Sequence, residues 1–318
     1  MKNFAIIGVG GYIAPRHLKA IKDTDNSLVA ATDPFDSVGI LDRYFYEVDY
    51  FKEFERFDRH IEKLRRKSDK AAVDYVSICS PNYLHDAHIR FALRVGADAI
   101  CEKPLVLNPW NIDGLAEIEE ETQNKIYNIL QLRVHPSIMK LREKVLNSNK
   151  KDKYDIDLTY ITSRGKWYYY SWKGSNQKSG GVATNIGIHF FDMLTWIFGD
   201  VQTNDVHVLE EKKAGGFLEL ENANVRWFLS LDKNDLPQQA VDAGKPTYRS
   251  IQVEGEEIEF SGGFTDLHTV VYQGILNGNG YGIKDAYTSV KIAHDIRHAK
   301  PVGMDREKSH PLLLRSKK

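Results

Sequence analysis

Three stretches of the chain hold side chains whose types and spacing suit acid–base and ligand chemistry. In Glu102-Lys103-Pro104 a lysine follows a carboxylate. An ammonium there could polarise a reacting hydroxyl or carbonyl oxygen, although most such triplets are solvated turns. Ser179-Gly180-Gly181 leads into a second stretch, where Asn185, His189 and Asp192 stand at i, i+4 and i+7 and would share one face of a helix. Histidine is the usual acid–base side chain near neutral pH. A lone histidine is more often a satisfied core group, but three polar groups on one face of an apolar helix sit poorly with that. The third stretch, Gly8-Val9-Gly10-Gly11-Tyr12-Ile13-Ala14, is a glycine-rich turn in which the backbone can approach a pyrophosphate at a helix N-terminus. Asp33 follows about 20 positions on, where a carboxylate would hold a ribose 2′-hydroxyl and repel a 2′-phosphate. These residues predict dinucleotide binding, with NAD favoured over NADP. Ile13 stands where the third glycine of the fingerprint would fall.

Such residues work only if strands and helices hold them. Phe4–Val9, Leu28–Thr32, Val73–Ser80, Ala97–Cys101 and Ile126–Leu132 are short apolar runs that read as strands. Pro15–Ile21, Asp58–Lys67 (with Ile61 and Leu64 inward), Leu84–Val95 and Asn111–Thr122 read as helices between them. That alternation predicts an α/β Rossmann domain with a parallel sheet over residues 1–125. From about residue 150 the texture changes. Asp155–Arg164, Asp205–Leu209, Phe217–Leu220, Asn224–Asp232, Ser250–Glu254 and Glu257–Phe260 read as strands, with hairpin turns at Gly215-Gly216 and Gly255-Glu256. Helices interrupt them at Asn185–Phe198 and Asp285–Ala299. Residues 126–318 are therefore expected to form an α+β domain with a largely antiparallel sheet. The basic tail from Lys300 reads as an extended arm or frayed end.

The 318 residues carry 43 Lys and Arg against 44 Asp and Glu, a net charge of −1. Such a balance offers no electrostatic attraction to nucleic acid or an anionic membrane. No run approaches the ~20 apolar residues of a membrane span. The two cysteines, Cys79 and Cys101, cannot make a disulfide framework and read as buried small apolar groups. Phe4–Ala14 imitates a secretory signal, but Gly8, Gly10 and Gly11 suit no helical h-region and no small-residue cleavage site follows. A cytoplasmic location is expected. The i, i+4 pair His294 and His298, and the similarly spaced His85 and His88, lack a metalloprotease pattern, so no metal is expected.

The glycine turn, Ser80-Pro81-Asn82-Tyr83-Leu84-His85, Glu102-Lys103-Pro104 and Gly180-Gly181…His189-Phe190-Phe191-Asp192 follow one another in a specific order. In that order the chain resembles the family of glucose–fructose oxidoreductase and inositol dehydrogenase over nearly its whole length. The resemblance implies NAD as cofactor, with Gly8, Gly10, Gly11, Tyr12, Ile13, Asp33, Ser80, Pro81, Asn82, His85, Glu102 and Lys103 around it. It also implies that Lys103 and His189 work on the substrate hydroxyl. Many members carry Asp where this chain has Asn185. A neutral amide cannot take a proton, so His189 is expected to move it, Lys103 to steady the alkoxide and Asn185 to orient.

A narrower resemblance rests on Thr162-Ser163-Arg164-Gly165-Lys166-Trp167-Tyr168 and Ser171-Trp172-Lys173-Gly174, with Gly187–Leu194, Gly262–His268 and Gly278–Ile283 in support. These stretches resemble the UDP-N-acetylglucosaminuronate 3-dehydrogenases of bacterial O-antigen synthesis. Arg164 suits a uronate carboxylate, Lys166 or Lys173 a diphosphate, and Trp167, Tyr168 and Trp172 a sugar or uracil face; Asp192 is also counted on the substrate side. An aromatic sheet edge with solvated charges is the plainer alternative for any one of them. The family further implies dimers or tetramers through the second sheet. Two other functions compete: an NAD-dependent dehydrogenase of a free sugar or inositol, and a non-catalytic sugar or dinucleotide sensor on the same fold.

Overall fold

The structure, a computed structural model, describes residues 1–258 and 266–315. The chain forms two compact units, Met1–Gln131 with Asp266–Tyr287, and Leu132–Thr265 with Thr288–Lys318. In the first unit β1 (Asn3–Ile7), β2 (Ser27–Thr32), β3 (Asp49–Phe51), β4 (Tyr75–Ile78), β5 (Asp98–Cys101) and β6 (Ile126–Asn128) form one parallel sheet in the order β3-β2-β1-β4-β5-β6. Phe4, Ala5, Ile6, Val76, Ile78, Ala99 and Ile100 are all buried, as a sheet covered on both faces requires. Helices Ala14–Asp23, Phe54–Lys67, His85–Arg94 and Pro109–Thr122 connect the strands. The winding direction reverses between β1 and β4, and ligands of doubly wound sheets bind beyond the carboxyl ends of strands at such a point.

β3 has no counterpart among the expected strands, because three residues are too few to show a period. The expected boundary at residue 125 also shifts. Ile126–Asn128 pairs with β5, and helix Leu267–Leu276, absent from the sequence-based expectation, returns to this unit, where Tyr272 meets His17.

The second unit holds β7 (Tyr154–Thr162), β8 (Val201–Leu209), β9 (Lys213–Leu220), β10 (Ala223–Ser230), β11 (Thr247–Val253) and β12 (Glu256–Glu257), in the order β12-β11-β7-β10-β9-β8. Neighbours are antiparallel except β7 and β10. Alternate residues Ile156, Leu158, Val225 and Trp227 join a core with Phe191 and Leu194 of helix Ile188–Phe198 and with Ile138 and Leu141 of helix Pro136–Leu146. On the opposite parity, Ile161 and Phe228 pack against Leu313.

Over the described residues, the tail from Lys300 is therefore neither an arm nor frayed. Its Val302 amide donates to the Val206 carbonyl (2.9 Å), Ser309 meets His207, and Leu312, Leu313 and Met304 supply the apolar contacts that hold it. Gly215-Gly216 is not a turn but lies inside β9. A Cβ on Gly216 would come within 2.3 Å of the Asp205 carbonyl oxygen and 2.9 Å of the Trp227 ring, so the glycine permits a close approach. The turn between β11 and β12 falls at Glu254-Gly255, one position before the expected pair. Phe260 and the Gly262–Thr265 part of the narrower motif lie outside the described residues.

Candidate functional site

Every residue expected around the cofactor follows the carboxyl end of β1, β2, β4 or β5. Gly8 takes φ +84°, and a Cβ there would meet the Cys79 carbonyl and the Ser80 amide at 2.8 Å. Only glycine lets the β1 turn lie so close to the end of β4. The Gly10 amide donates to Asp33 Oδ2 (2.9 Å), and the Phe35 amide to Oδ1 (3.0 Å), so a buried carboxylate holds the turn and its own loop together. Each oxygen keeps acceptor capacity for a ribose hydroxyl. Tyr12 projects, 86% exposed, and Ile13 precedes the first helix. The residues present therefore suit a dinucleotide.

Ser80 and Asn82 are buried. Ser80 Oγ lies 2.8 Å from Nδ1 of His88, a ring that burial and the neighbouring His85 push down to about 4 and so hold neutral. His85 stands between the carbonyl oxygens of Ser80 (2.9 Å) and Pro104 (2.7 Å), bridging the loop after β4 to the one after β5. Lys103 is half-buried, and its backbone amide donates to Glu102 Oε2 (3.1 Å). The Glu102 side chain, expected beside the cofactor, instead turns into the interior. His17 and His268 lie 3.0 and 2.8 Å from its Oε1. Burial works against the charge on Glu102, yet the two imidazole hydrogen bonds outweigh it and hold the carboxyl well below its usual range. Burial likewise pushes His17 below its ordinary value, despite the adjacent carboxylate. Sequence reasoning missed His17, His268 and Tyr272, because nothing in their spacing shows that residues so far apart in the chain converge.

In the second unit Asn185 lies in a wider, π-helical segment over Ala183–Gly187 that runs directly into helix Ile188–Phe198, so the stretch expected to be helical is helical throughout. From Val182 to Leu194 only Asn185 and His189 escape full burial. Asn185 Nδ2 donates to the hydroxyl of Tyr168, itself buried and shifted upward by that burial. His189 stands edge-on to Tyr160, ring centres 5.9 Å apart. Arg164, Lys166 and Trp167 are exposed just after β7, where the Arg164 charge acts on Tyr168. The Lys173 ammonium sits over the half-buried Trp172 ring at 3.9 Å. Asp192 is placed differently from Asn185 and His189. It is 2% exposed and grips Arg133 with both oxygens, at 2.7 and 3.1 Å, inside the unit. Arg133 was not singled out from the sequence. Its partner is 59 positions away, and it sits in a turn that reads as the end of a strand. Among the described residues, His17, Glu102 and His268 are a group that could also hold a metal ion.

Comparison with known proteins agrees with this geometry. Residues 2–129 match the model of an oxidoreductase family's NAD-binding Rossmann fold, and residues 152–235 that family's C-terminal alpha/beta domain. Among curated proteins, inositol 2-dehydrogenase of Rhizobium meliloti is 26% identical over 62% of this chain and 55% of its own length. D-glucoside 3-dehydrogenase of Escherichia coli is 27% identical over 45% and 40%. The chain thus spans about half the length of the curated relatives it matches. Among solved structures, the WlbA (WbpB) dehydrogenase of Thermus thermophilus, in complex with NAD and alpha-ketoglutarate, is 50% identical, with a TM-score of 0.94 over 98% of this chain and 99% of that one. The same protein in complex with NAD and UDP-GlcNAcA gives 49% and 0.93 over the same shares. With a Rossmann unit whose loops suit NAD, an α/β second unit, and half its residues shared along a complete dehydrogenase chain, this protein belongs to the glucose–fructose oxidoreductase and inositol dehydrogenase family of NAD-binding oxidoreductases.

Proposed function

We propose that the chain is an NAD-dependent dehydrogenase that oxidises the C3 hydroxyl of a UDP-linked N-acetylated uronic acid, in the cytoplasmic synthesis of bacterial O-antigen sugars. The observation that carries this is the 49% identity, end to end, with a protein whose structure holds NAD and UDP-GlcNAcA. The exposed Arg164 beside an aromatic segment supports it, because a guanidinium suits a carboxylate that a free sugar or inositol lacks. Bound NAD supplies the hydride acceptor. His189 takes the hydroxyl proton, and Lys103 steadies the developing alkoxide with its charge. Asn185, spending its amide on Tyr168, orients rather than titrates. Lys166 or Lys173 meets the diphosphate in this reading, and Trp167 and Trp172 the sugar or the base. The complex of the Thermus protein with alpha-ketoglutarate supports a 2-oxo acid as the oxidant that restores NAD. We place a dimer or tetramer, built through the second sheet, in the same proposal.

Arg164→Ala tests the substrate assignment. A hydrogen bond to a charged group contributes about 1.5–3 kcal/mol, so UDP-GlcNAcA binding should weaken about 10- to 100-fold at 1.4 kcal/mol per decade. UDP-N-acetylglucosamine, which lacks the carboxylate, should be indifferent. Equal losses for both ligands would place Arg164 at the nucleotide or in the fold instead.

A further inference from the structure

Three N–H groups converge on the two oxygens of Glu102. His17 and His268 approach Oε1 through their Nε2 atoms (3.0 and 2.8 Å), and the Lys103 amide approaches Oε2 (3.1 Å). The other nitrogen of His17, Nδ1, lies 2.7 Å from the Tyr272 hydroxyl, which in turn lies 2.7 Å from Ser77 Oγ. All of these side chains are buried. One arrangement of protons satisfies the whole chain: Ser77 donates to Tyr272, Tyr272 to His17 Nδ1, and His17 Nε2 to Glu102, with His268 donating to the same oxygen. It needs an acceptor at both oxygens of residue 102, which a carboxylate provides and a carboxamide does not. The residues on either side of Lys103 are thus both held from within the unit. Glu102 is fixed through its carboxylate and through its carbonyl, to which Asn128 Nδ2 donates (3.3 Å); Pro104 is fixed at its carbonyl by His85 (2.7 Å).

We propose that the buried chain Ser77–Tyr272–His17–Glu102–His268 is a positioning device for Lys103, with Glu102 kept as an anion so that its second oxygen can hold the Lys103 amide. The proposal rests on Lys103 being the lysine that acts on the substrate. It gives the returning segment 266–287 a task, since His268 and Tyr272, one helical turn apart, both bring hydrogen bonds to this point. The same two imidazoles and carboxylate form a ligand set for zinc. However, nitrogen and oxygen ligands about 2.0–2.2 Å from one tetrahedral metal stand more than 3.2 Å apart. The separations of 3.0 and 2.8 Å found here are those of hydrogen bonds.

Glu102→Gln tests the device, because it keeps shape and removes one acceptor. The variant amide must oppose either the Lys103 N–H or the two imidazole N–H groups. A displacement of about 1 Å at a catalytic group costs about 100-fold, so kcat should fall about 10- to 100-fold while the KM for sugar and the Kd for NAD stay near wild type. Tyr272→Phe, which loses one hydroxyl and keeps the ring, should show the same split more mildly and covers the case in which Glu102→Gln does not fold. Hydrogen exchange at the Lys103 amide gives a readout independent of turnover. It should quicken in Glu102→Gln while the amides of β5 stay protected. Unchanged exchange at Lys103 would overturn the device even if activity falls, and so would one equivalent of zinc in the purified protein. Quickened exchange in a protein that oxidises no sugar would leave the device standing and remove the role assigned to Lys103.

Discussion

Replacing Asp192 should destabilise the second unit rather than weaken substrate binding. Both carboxylate oxygens meet the Arg133 guanidinium, at 2.7 and 3.1 Å, and the two side chains are 2% and 7% exposed. Water cannot compensate a guanidinium left behind there, and breaking a buried pair from one side costs about 3–5 kcal/mol. In a domain of about 150–250 residues each kcal/mol moves the midpoint about 2–4 °C. Asp192→Ala should therefore lower Tm by about 6–20 °C, with Arg133→Ala doing much the same. Exchanging both partners for apolar residues of similar size removes the orphaned charge and should recover most of the loss. The assay is thermal unfolding of wild type, both single variants and the Arg133→Met/Asp192→Leu double variant, with Kd for UDP-GlcNAcA measured on those that fold. A melting point within 1–2 °C of wild type for Asp192→Ala, together with a tenfold loss of sugar affinity, would refute this reasoning and return Asp192 to the substrate.

Three further outcomes follow from the geometry. Asp33→Ala removes both a ribose acceptor and the anchor of the Gly10 amide; titration should show weaker NAD binding and a smaller preference for NAD over NADP, and an unchanged preference would count against Asp33. Burial lowers His88 from 6.5 to about 4, so the fold favours its neutral ring. That contribution is complete above pH 6.5 and declines as the pH falls toward 4, by about 3 kcal/mol; in denaturant titrations wild type should lose about that much stability relative to His88→Gln over this range, and parallel curves would refute it. Lys103→Met and His189→Gln should each cut turnover by about 10²–10⁴-fold with NAD still bound, whereas Asn185→Ala should cost less.

The alternation of apolar runs and helical stretches made the Rossmann unit legible, because parallel strands buried on both faces announce themselves as continuous hydrophobic runs such as Phe4–Val9. Four loops of chemistry-bearing residues could be placed past strand ends for the same reason. The unread parts depend on distant partners. β3 is three residues long, and helix Leu267–Leu276 belongs to a unit whose other residues lie far upstream. Lys300 onward looked unstructured because charged residues outnumber the few apolar ones that dock on the second sheet. At the site, residue types were legible but their partners were not. Glu102 read as a cofactor neighbour and Asp192 as a substrate ligand, since nothing local reveals His17, His268 or Arg133.

The proposed chemistry meets its most direct test in a single turnover. Protein loaded with NAD is mixed with UDP-GlcNAcA, UDP-N-acetylglucosamine or myo-inositol, and reduced nicotinamide is followed by its near-ultraviolet absorbance. An NAD-dependent dehydrogenase of a UDP-linked uronic acid gives the signal with UDP-GlcNAcA alone, and 2-oxoglutarate then abolishes it. Reduction by myo-inositol with none from UDP-GlcNAcA would contradict the substrate, and no reduction by any sugar would contradict the assignment of Lys103 and His189 as catalytic residues.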